Sequence, residues 1–281
     1  MQIVHTVSAL RAQLAAWRTA GERVAFAPTM GNLHAGHIEL VTQGRQRAQR
    51  VVASVFVNPL QFGASEDFGR YPRTLPQDAE KLTAAGCDLL FAPSVEEIYP
   101  QGIGATTVRV AGVTEMLEGE FRPGHFEGVA TVVNILFNLV QPDVALFGQK
   151  DYQQLAVIRR MVTDLRLPLE VVGVPTLRAE DGLALSSRNQ YLSGDERSRA
   201  ATVYRVLSVI SEGLRAGRRD YPALQSEAAL TLQRAGFRPQ YVAIRAADLA
   251  EPRHDASDWV VLVAAVLGAT RLIDNLRVSS A

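Results

Sequence analysis

Two histidines that flank a glycine are the residues of this sequence best suited to chemistry. They lie in residues 28–37 (PTMGNLHAGH), which follow a short apolar run and precede a segment with helical spacing. His34 and His37 share one face of a helix if the helix has already begun at that point. Imidazoles at a helix N-terminus can donate hydrogen bonds to charge that develops on a phosphorus atom. The pattern favours a phosphate-binding loop, and a metal-binding pair or two unrelated polar residues are the alternatives.

A lysine that follows a predicted strand is the second candidate. Residues 147–154 read FGQKDYQQ, and Lys150 begins a predicted helix there. Of the 29 basic residues only Lys81 and Lys150 are lysines, so lysine is not the usual positive charge of this chain. An ammonium at Lys150 can neutralise a phosphate as a point charge, or it can be a solvated residue at a helix start. Lys81 is predicted to lie on the surface. Asp151 is either a helix cap or a ligand of a ribose hydroxyl.

Three further stretches place polar side chains at predicted strand ends or turns. Residues 186–188 (SSR) follow a predicted hairpin that turns at residues 181–182, and hydroxyls beside a guanidinium suit phosphate oxygens. A surface turn would have the same composition, but this one adjoins a predicted domain boundary, where binding clefts often form. Asn58 and Gln61 can bind a small polar substrate or form an Asn-Pro turn. Arg122 can hold a carboxylate or be a plain loop charge.

The elements that must position these residues follow a regular order. Up to about residue 174, apolar runs alternate with segments of helical spacing, which favours a doubly wound parallel sheet with ligands at the carboxyl ends of its strands. The predicted strands there are residues 24–27, 51–57, 88–91, 144–147 and 169–174. One predicted helix there starts at residue 6, and the others span residues 38–49, 76–85, 129–140 and 151–164. Beyond residue 174 we predict helices over 194–216 and 221–235 and strands over 241–245, 259–267 and 270–273.

Composition excludes several classes of protein. The 29 basic and 29 acidic residues give a net charge of zero, so the chain lacks the broad positive field of a nucleic-acid or anionic-membrane binder. Cys87 is the one cysteine and cannot form an internal disulfide, which fits a reducing compartment. No segment offers the roughly 20 uninterrupted apolar residues of a membrane span. We expect a soluble, cytoplasmic protein that binds neither nucleic acid nor membranes, with Cys87 buried.

Taken together, these stretches resemble the pantothenate synthetase (pantoate–β-alanine ligase) family. PTMGNLHAGH, NPLQF, FRPGHFEGV, FGQKDYQQ and DGLALSSRN occur in that family's order, and the similarity covers essentially the whole chain. The H-x-G-H motif alone is typical of a wider nucleotidyltransferase superfamily, and SSRN is similar to the K-M-S-K-S loop of class I aminoacyl-tRNA synthetases. The chain departs from the family at Gln149, where Glu is common; this weakens any role for a side-chain charge there.

The resemblance implies a fold and a reaction. It implies an α/β chain with a Rossmann-like ATP- and pantoate-binding domain in residues 1–175, a smaller C-terminal α+β lid domain in residues 176–281, and a homodimer. ATP is then a substrate, used with Mg²⁺, and (R)-pantoate and β-alanine are joined to pantothenate, a coenzyme A precursor, through pantoyl adenylate. The alternatives are a nucleotidyltransferase acting on another small acid or phosphate substrate and a non-catalytic ATP-binding module.

The resemblance also assigns roles to residues of this sequence, and it leaves the ligands of Mg²⁺ open. The residues implied in catalysis are His37, His34, Lys150 and Arg188. The residues implied in ATP binding are Met30, Gly31, Asn32, Leu33, His34, Ala35, Gly36, His37, Gly148, Gln149, Lys150, Asp151, Leu177, Leu185, Ser186, Ser187 and Arg188. The residues implied in binding the other substrates are Gln61, Gln154, Asn58 and Arg122. His125 is predicted to be structural.

Overall fold

The computed structural model describes residues 1–63 and 66–280. The chain divides into two compact units. The first unit comprises Met1–Gln149 and Gln154–Pro175, and the second comprises Lys150–Gln153 and Thr176–Ala281. The short segment that carries Lys150 therefore groups with the second unit, although it is flanked in sequence by the first.

The first unit is built on a six-stranded parallel sheet in the order β1-β4-β3-β2-β5-β6. Its strands are β1 Gln2–Val4, β2 Val24–Thr29, β3 Arg50–Val55, β4 Leu89–Phe91, β5 Val144–Gly148 and β6 Glu170–Val174. The helices in this part of the chain are α1 Val7–Thr19, α2 Ala35–Arg45, α3 Leu75–Ala84, α4 Val95–Ile98, α5 Glu118–Phe121, α6 His125–Val140 and α7 Tyr152–Asp164. The α/β class predicted from the alternation of elements is confirmed. Among the strands and α-helices just given, β1 and the two single-turn helices α4 and α5 are not predicted by the sequence.

Both faces of this sheet are covered by helices. Successive residues of a strand point to opposite faces, and accordingly Phe26 belongs to one buried cluster and its neighbour Ala25 to another. The cluster around Phe26 includes residues of α1, α6 and α7, whereas the cluster around Ala25 includes residues of α2 and α3. Strands that are buried on both faces are apolar along their whole length, which is why they were recognisable as continuous runs.

The predicted buried helix around Val129–Val140 is the apolar part of α6. It begins earlier, at His125, and most of its residues are buried. None of the helices in residues 1–63 and 66–280 combines the length and apolar character that crossing a bilayer requires. Cys87 is buried, as predicted, and burial raises the pKa of its thiol to about 12.

The second unit packs helices on a three-stranded antiparallel sheet in the order β7-β8-β9. Its strands are β7 Phe237–Ala246, β8 Asp258–Leu267 and β9 Thr270–Ser279, and its further helices are α8 Gly194–Ala200, α9 Thr202–Arg215 and α10 Tyr221–Arg234. The predicted single helix over 194–216 is wrong, because at Ala201 ψ changes to −12° and separates α8 from α9. The predicted hairpin is present, with Arg178 bridged to Ala184 and Gly182 at φ +91°.

Candidate functional site

The two histidines lie where the carboxyl end of β2 meets the N-terminus of α2. Strand β2 is central in the sheet, paired with β3 on one side and β5 on the other. After Met30 the chain takes positive φ at two successive residues, +87° at Gly31 and +50° at Asn32. A Cβ on Gly31 would lie 3.0 Å from Cγ1 of Val55, so both the backbone angle and the space favour glycine here. This sharp turn places His34 at the start of α2.

His34 is the N-cap of α2 rather than part of its first turn. Its Nδ1 accepts a hydrogen bond from the backbone N–H of Gly36 at 3.1 Å, and Nδ1 of His37 accepts one from the backbone N–H of His34 at 3.3 Å. The two ring centroids are 4.1 Å apart. A Cβ on residue 36 would come within 2.9 Å of Cε1 of His34, so Gly36 is what allows this ring to cap the helix. The histidines thus cap the helix reciprocally.

This capping determines which ring nitrogens can donate hydrogen bonds. Because both Nδ1 atoms accept from backbone N–H groups, the neutral rings of His34 and His37 carry their hydrogen on Nε2. Two Nε2–H groups therefore lie at the N-terminus of an 11-residue helix, where the helix dipole also favours anions. This arrangement is suited to a phosphate group.

A buried carboxylate on α3 supports the loop that leads to His34. The sequence alone did not identify this residue as a candidate. Asp78 accepts hydrogen bonds from the backbone N–H groups of Asn32 and Leu33, each at 2.8 Å, and from Oγ1 of Thr74 at 3.0 Å. Lys81, one turn further along α3, donates from Nζ to the carbonyl oxygen of Leu33 at 2.7 Å. Lys81 is exposed, as predicted, but its ammonium also supports the histidine loop.

We expect the substitution D78N to lower activity through the loop. An amide in place of the carboxylate turns an NH₂ group toward a backbone N–H, so one acceptor of the loop is lost and a buried donor is left unpaired, at a cost of about 1–3 kcal/mol. Turnover should fall at least tenfold with the fold retained. The matched control is E80Q, the same chemical change on the exposed face of α3. Equal activity for D78N and E80Q would contradict a supporting role for Asp78.

Asn58 and Gln61 lie together just beyond β3. Asn58 is only 1% exposed, and its Nδ2 donates to Oε1 of Gln61 at 3.0 Å and to the carbonyl of Gly128 at 3.1 Å. Its Oδ1 accepts from the hydroxyl of Tyr99 at 2.6 Å. Gln61 in turn points Nε2 at Sδ of Met30, 3.2 Å away, which joins it to the histidine loop. Asn58 is therefore placed to orient the amide of Gln61.

Arg122 and His125 contact each other, and His125 also contacts the backbone of Gln61. The Arg122 guanidinium is bidentate on Glu66, with N–O distances of 2.8 and 2.7 Å, so in this structure its charge is paired with a carboxylate of the chain itself. His125 contacts the guanidinium through Nε2 at 3.0 Å and the carbonyl oxygen of Gln61 through Nδ1 at 2.9 Å. These contacts give His125 a structural position, and substrate binding by Arg122 stays a prediction.

Burial of His125 predicts a specific pH dependence of stability. Desolvation, aided by the nearby positive charge of Arg122, lowers the pKa of His125 to about 4. The unfolded chain, with an ordinary histidine pKa near 6.5, binds this proton more readily, so stability is full above about pH 6.5 and is lost as the pH falls toward 4. We expect this residue to remove about 2 kcal/mol of unfolding free energy between pH 7 and 5. Urea unfolding at both pH values, compared with H125Q, checks this; an equal loss of unfolding free energy in the two proteins would contradict it.

The residues after β5 occupy a 3₁₀ turn, Gln149–Asp151, that leads into α7. Gly148 ends β5, and Nε2 of Gln149 donates to the carbonyl oxygen of Gly173 at 3.2 Å. A glutamate at this position would present an ionised carboxylate to that carbonyl, so the amide of Gln149 suits this neighbour better. Gln154 lies half-buried in the first turn of α7.

In the second unit, one pocket brings together two of the predicted phosphate-binding segments. Its lining includes Lys150, Ser186, Asn189 and Asp274. Ser186 caps the 3₁₀ turn Ser187–Tyr191, with its Oγ accepting from the backbone N–H of Arg188 at 3.3 Å. The hairpin also pairs two residues predicted to bind ATP, since the N–H of Leu185 donates to the carbonyl of Leu177 at 2.9 Å. Lys150 and residues 185–188 are thus neighbours within this unit.

Comparisons with known proteins identify the family of this chain. The family model described as pantoate-beta-alanine ligase matches residues 2–277. A pantothenate synthetase of Pseudomonas fluorescens (strain Pf0-1) is 59% identical over 281 residues, which is 99% of this chain and 98% of that protein. A pantothenate synthetase of Stutzerimonas stutzeri (strain A1501) is 59% identical over 280 residues, again 99% and 98% of the two chains.

Solved structures give the same result. The crystal structure of pantothenate synthetase from Thermus thermophilus has a TM-score of 0.92 at 52% identity, covering 98% of this chain and 99% of that one. The structure of pantoate-beta-alanine ligase from Francisella tularensis, complexed with beta-gamma ATP and beta-alanine, has a TM-score of 0.81 at 32% identity and covers 98% and 97%. With its Rossmann-like parallel sheet, its smaller C-terminal α+β part and a match along its whole length, this chain belongs to the pantoate–β-alanine ligase family.

Proposed function

We propose that the protein joins (R)-pantoate to β-alanine in two steps, through pantoyl adenylate. The overall ligation is the reaction of the family to which the chain belongs. In the first step a carboxylate oxygen of pantoate attacks the α-phosphorus of ATP, the bond to the bridging oxygen of the β-phosphate breaks, and pyrophosphate leaves. In the second step the amine of β-alanine attacks the acyl carbon, the bond to AMP breaks, and the amide forms with loss of a proton.

The observation that carries the adenylation step is the reciprocal capping of His34 and His37. Each ring is held by its Nδ1 and presents Nε2–H, which is the atom that can donate to a phosphate oxygen as charge develops on it. His37 is the proposed donor in the transition state, and His34 binds the phosphates beside it. Residues 30–36 form the turn that carries both rings at the N-terminus of α2, so this loop is the proposed centre of the ATP site.

The other ATP contacts come from Lys150 and residues 185–188. A lysine is a compact point charge and can neutralise the β- and γ-phosphates that leave as pyrophosphate. The hydroxyls of Ser186 and Ser187 and the guanidinium of Arg188 can donate hydrogen bonds to phosphate oxygens. Gly148, Gln149 and Asp151 continue the same turn, and we assign them to the ribose and phosphates. Leu177 and Leu185, which face each other across the hairpin, are assigned to the adenine end.

Pantoate is assigned to Gln61 and Gln154. Because the Oε1 of Gln61 accepts from Asn58, its Nε2 is left as the hydrogen-bond donor of this amide. A donor in that position suits a hydroxyl or carboxylate oxygen of the acid substrate. Asn58, which is buried, acts through Gln61, and Arg122 acts on the acid only if it exchanges Glu66 for the substrate carboxylate.

Magnesium is proposed to arrive with the nucleotide. Among the residues that the structure describes, no three His, Cys, Asp or Glu side chains are grouped in a way that could hold a metal ion. Mg²⁺ usually keeps several waters and binds through substrate phosphates rather than in a cage of protein ligands. Its chemistry here is to neutralise charge on the phosphates, while the histidines and Lys150 orient them.

The family resemblance also supports a homodimer that works in the cytoplasm. A dimer predicts a mass about twice 30.6 kDa. Size-exclusion chromatography with light scattering measures this directly, and a mass equal to that of one chain would contradict it.

The test of the proposed function is exchange of radiolabelled pyrophosphate into ATP, with β-alanine left out. We expect exchange that requires pantoate, and AMP release once β-alanine is added. Lactate serves as a control acid, because it offers an α-hydroxy carboxylate without the rest of pantoate. Exchange with lactate equal to that with pantoate would favour another acid substrate. A folded protein that binds ATP but shows neither exchange nor AMP release would overturn the enzyme assignment.

A further inference from the structure

A buried ion pair lies next to the two proposed phosphate-binding segments of the second unit. The guanidinium of Arg178 is bidentate on Asp274, with N–O distances of 2.5 and 3.0 Å. The side chains are 16% and 3% exposed, and the guanidinium also stacks on the ring of Tyr204, 4.3 Å from its centroid. Burial raises the pKa of Asp274, and the positive charges of Arg178 and Lys150 oppose that rise. Lys150 and Asp274 line the same pocket, so the lysine lies near this pair.

One side of the pair is tied to the hairpin that precedes residues 186–188. Arg178 also donates to the carbonyl oxygen of Gly182 at 3.1 Å, and its backbone is bridged to Ala184. The carbonyl of Ala184 in turn accepts from Nδ2 of Asn189 at 3.0 Å. This chain of contacts spans both ends of residues 185–188 and anchors them to the ion pair.

The other side of the pair is tied to Lys150. Oδ1 of Asp274 accepts from the backbone N–H of Asn275 at 2.8 Å, and Nδ2 of Asn275 donates to the carbonyl oxygen of Lys150 at 2.8 Å. Strand β9 thus presents two adjacent polar side chains, one to the hairpin and one to the lysine segment.

A buried ion pair adds little net stability compared with an apolar pair of the same volume, so stability alone does not explain it. A bidentate contact does, however, fix the relative position of the two segments that it joins. We propose that Arg178 and Asp274 are positioning residues, which with Asn275 hold Lys150 and residues 186–188 in one arrangement for the phosphates of ATP. This inference rests on the proposed function, in which both segments bind that nucleotide.

The first experiment uses calorimetry to measure binding of α,β-methylene ATP to the protein without pantoate or β-alanine. D274N should weaken binding by about tenfold or more, because the change leaves buried polar groups around Arg178 without their acceptor and releases the two segments. The matched control is D258N, which removes the carboxylate of an exposed ion pair with Arg277 in the same sheet, at 2.7 Å. D258N should bind the analogue within about twofold of the original protein. Equal affinities for D274N and D258N would overturn the proposal.

The second experiment separates positioning from a general loss of structure. Because Asp274 is proposed to position Lys150 as well as residues 186–188, D274N should cost less affinity in a K150A background than in the original protein, so the fold-changes for K150A and D274N should not multiply. Independent effects, with the fold-change of the double variant equal to the product of the single ones, would overturn the proposal. Near-UV circular dichroism of each variant shows whether the second unit is folded.

Should D274N fail to fold, N275A tests the same idea with a milder change. It removes the hydrogen bond to the Lys150 carbonyl and leaves the ion pair in place, and we expect about tenfold weaker binding of the analogue. Unchanged affinity in N275A would count against the proposal. Because analogue binding requires neither pantoate nor turnover, a protein that binds it and shows no pantoate-dependent exchange would overturn the proposed function separately.

Discussion

Replacing His37 by asparagine is expected to slow pantoate-dependent ATP–pyrophosphate exchange by about 10²–10³-fold, the usual effect of losing one donor to developing charge. The asparagine Oδ1 can take the place of Nδ1 and accept from the backbone N–H of His34, so the cap of α2 is kept. Nothing in the shorter side chain reaches the position of Nε2. H37N therefore removes the proposed donor and keeps the local structure, which H37A does not do.

H37Q is the matched counterpart of H37N. Its amide can reach the position of Nε2 and donate, and its Oε1 can accept from the N–H of His34, as glutamine at this position of a helix commonly does. H37Q should therefore exchange faster than H37N and unfold at a similar temperature. Exchange rates and thermal unfolding of both variants give the answer. Near-normal turnover in H37N, or a loss of rate that tracks only the loss of the cap, would exclude His37 as the donor.

Replacing Lys150 by methionine should lower the exchange rate by at least about 10²-fold, because it removes the positive charge proposed to stabilise the leaving phosphates. The backbone carbonyl of Lys150 keeps its hydrogen bond from Asn275, so the segment should stay in place. K150R keeps the charge but spreads it over a larger planar group, and we expect intermediate activity.

The control for K150M is R160M, which removes a positive charge from an exposed ion pair with Asp164 further along α7. It should leave the exchange rate within about twofold. Steady-state rates at several ATP concentrations separate loss of binding from loss of turnover. A K150M protein whose maximal rate lies within about tenfold of the original would show that the lysine is not part of the transition-state arrangement.

Much of the fold was predictable because its signals are local. Strands buried on both faces are continuous apolar runs, so β2, β3 and β5 could be recognised from composition alone. The loop before α2 was also predictable, because Gly31 and Gly36 mark places where the backbone turns or a ring lies close. The break at Ala201 was not predictable, since neither glycine nor proline marks it. Strand β1, at three residues, is too short to show a pattern.

The supporting residues of the site could not be predicted because their partners are distant in sequence. Asp78 binds backbone groups 45 and 46 residues earlier, and nothing around it distinguishes it from a polar residue on a surface helix. Asp274 and Asn275 lie beyond residue 273, where the predicted strand ends, and both are buried although they are adjacent in β9, which a strand alternation does not predict. The resemblance to the family identifies the motifs but not the residues that support them. The hydrogen bonds of the structure identify those supporting residues.

Lys150–Gln153 groups with Thr176–Ala281 in the second unit. This grouping matters when chimeras are built from this chain and its relatives. The Lys150 carbonyl bonds to Asn275, 125 residues later. A chimera joined at residue 175 therefore takes the lysine segment from one parent and its support from the other. Crossovers at residue 175 should therefore yield more active proteins when both parents carry asparagine at the position of Asn275.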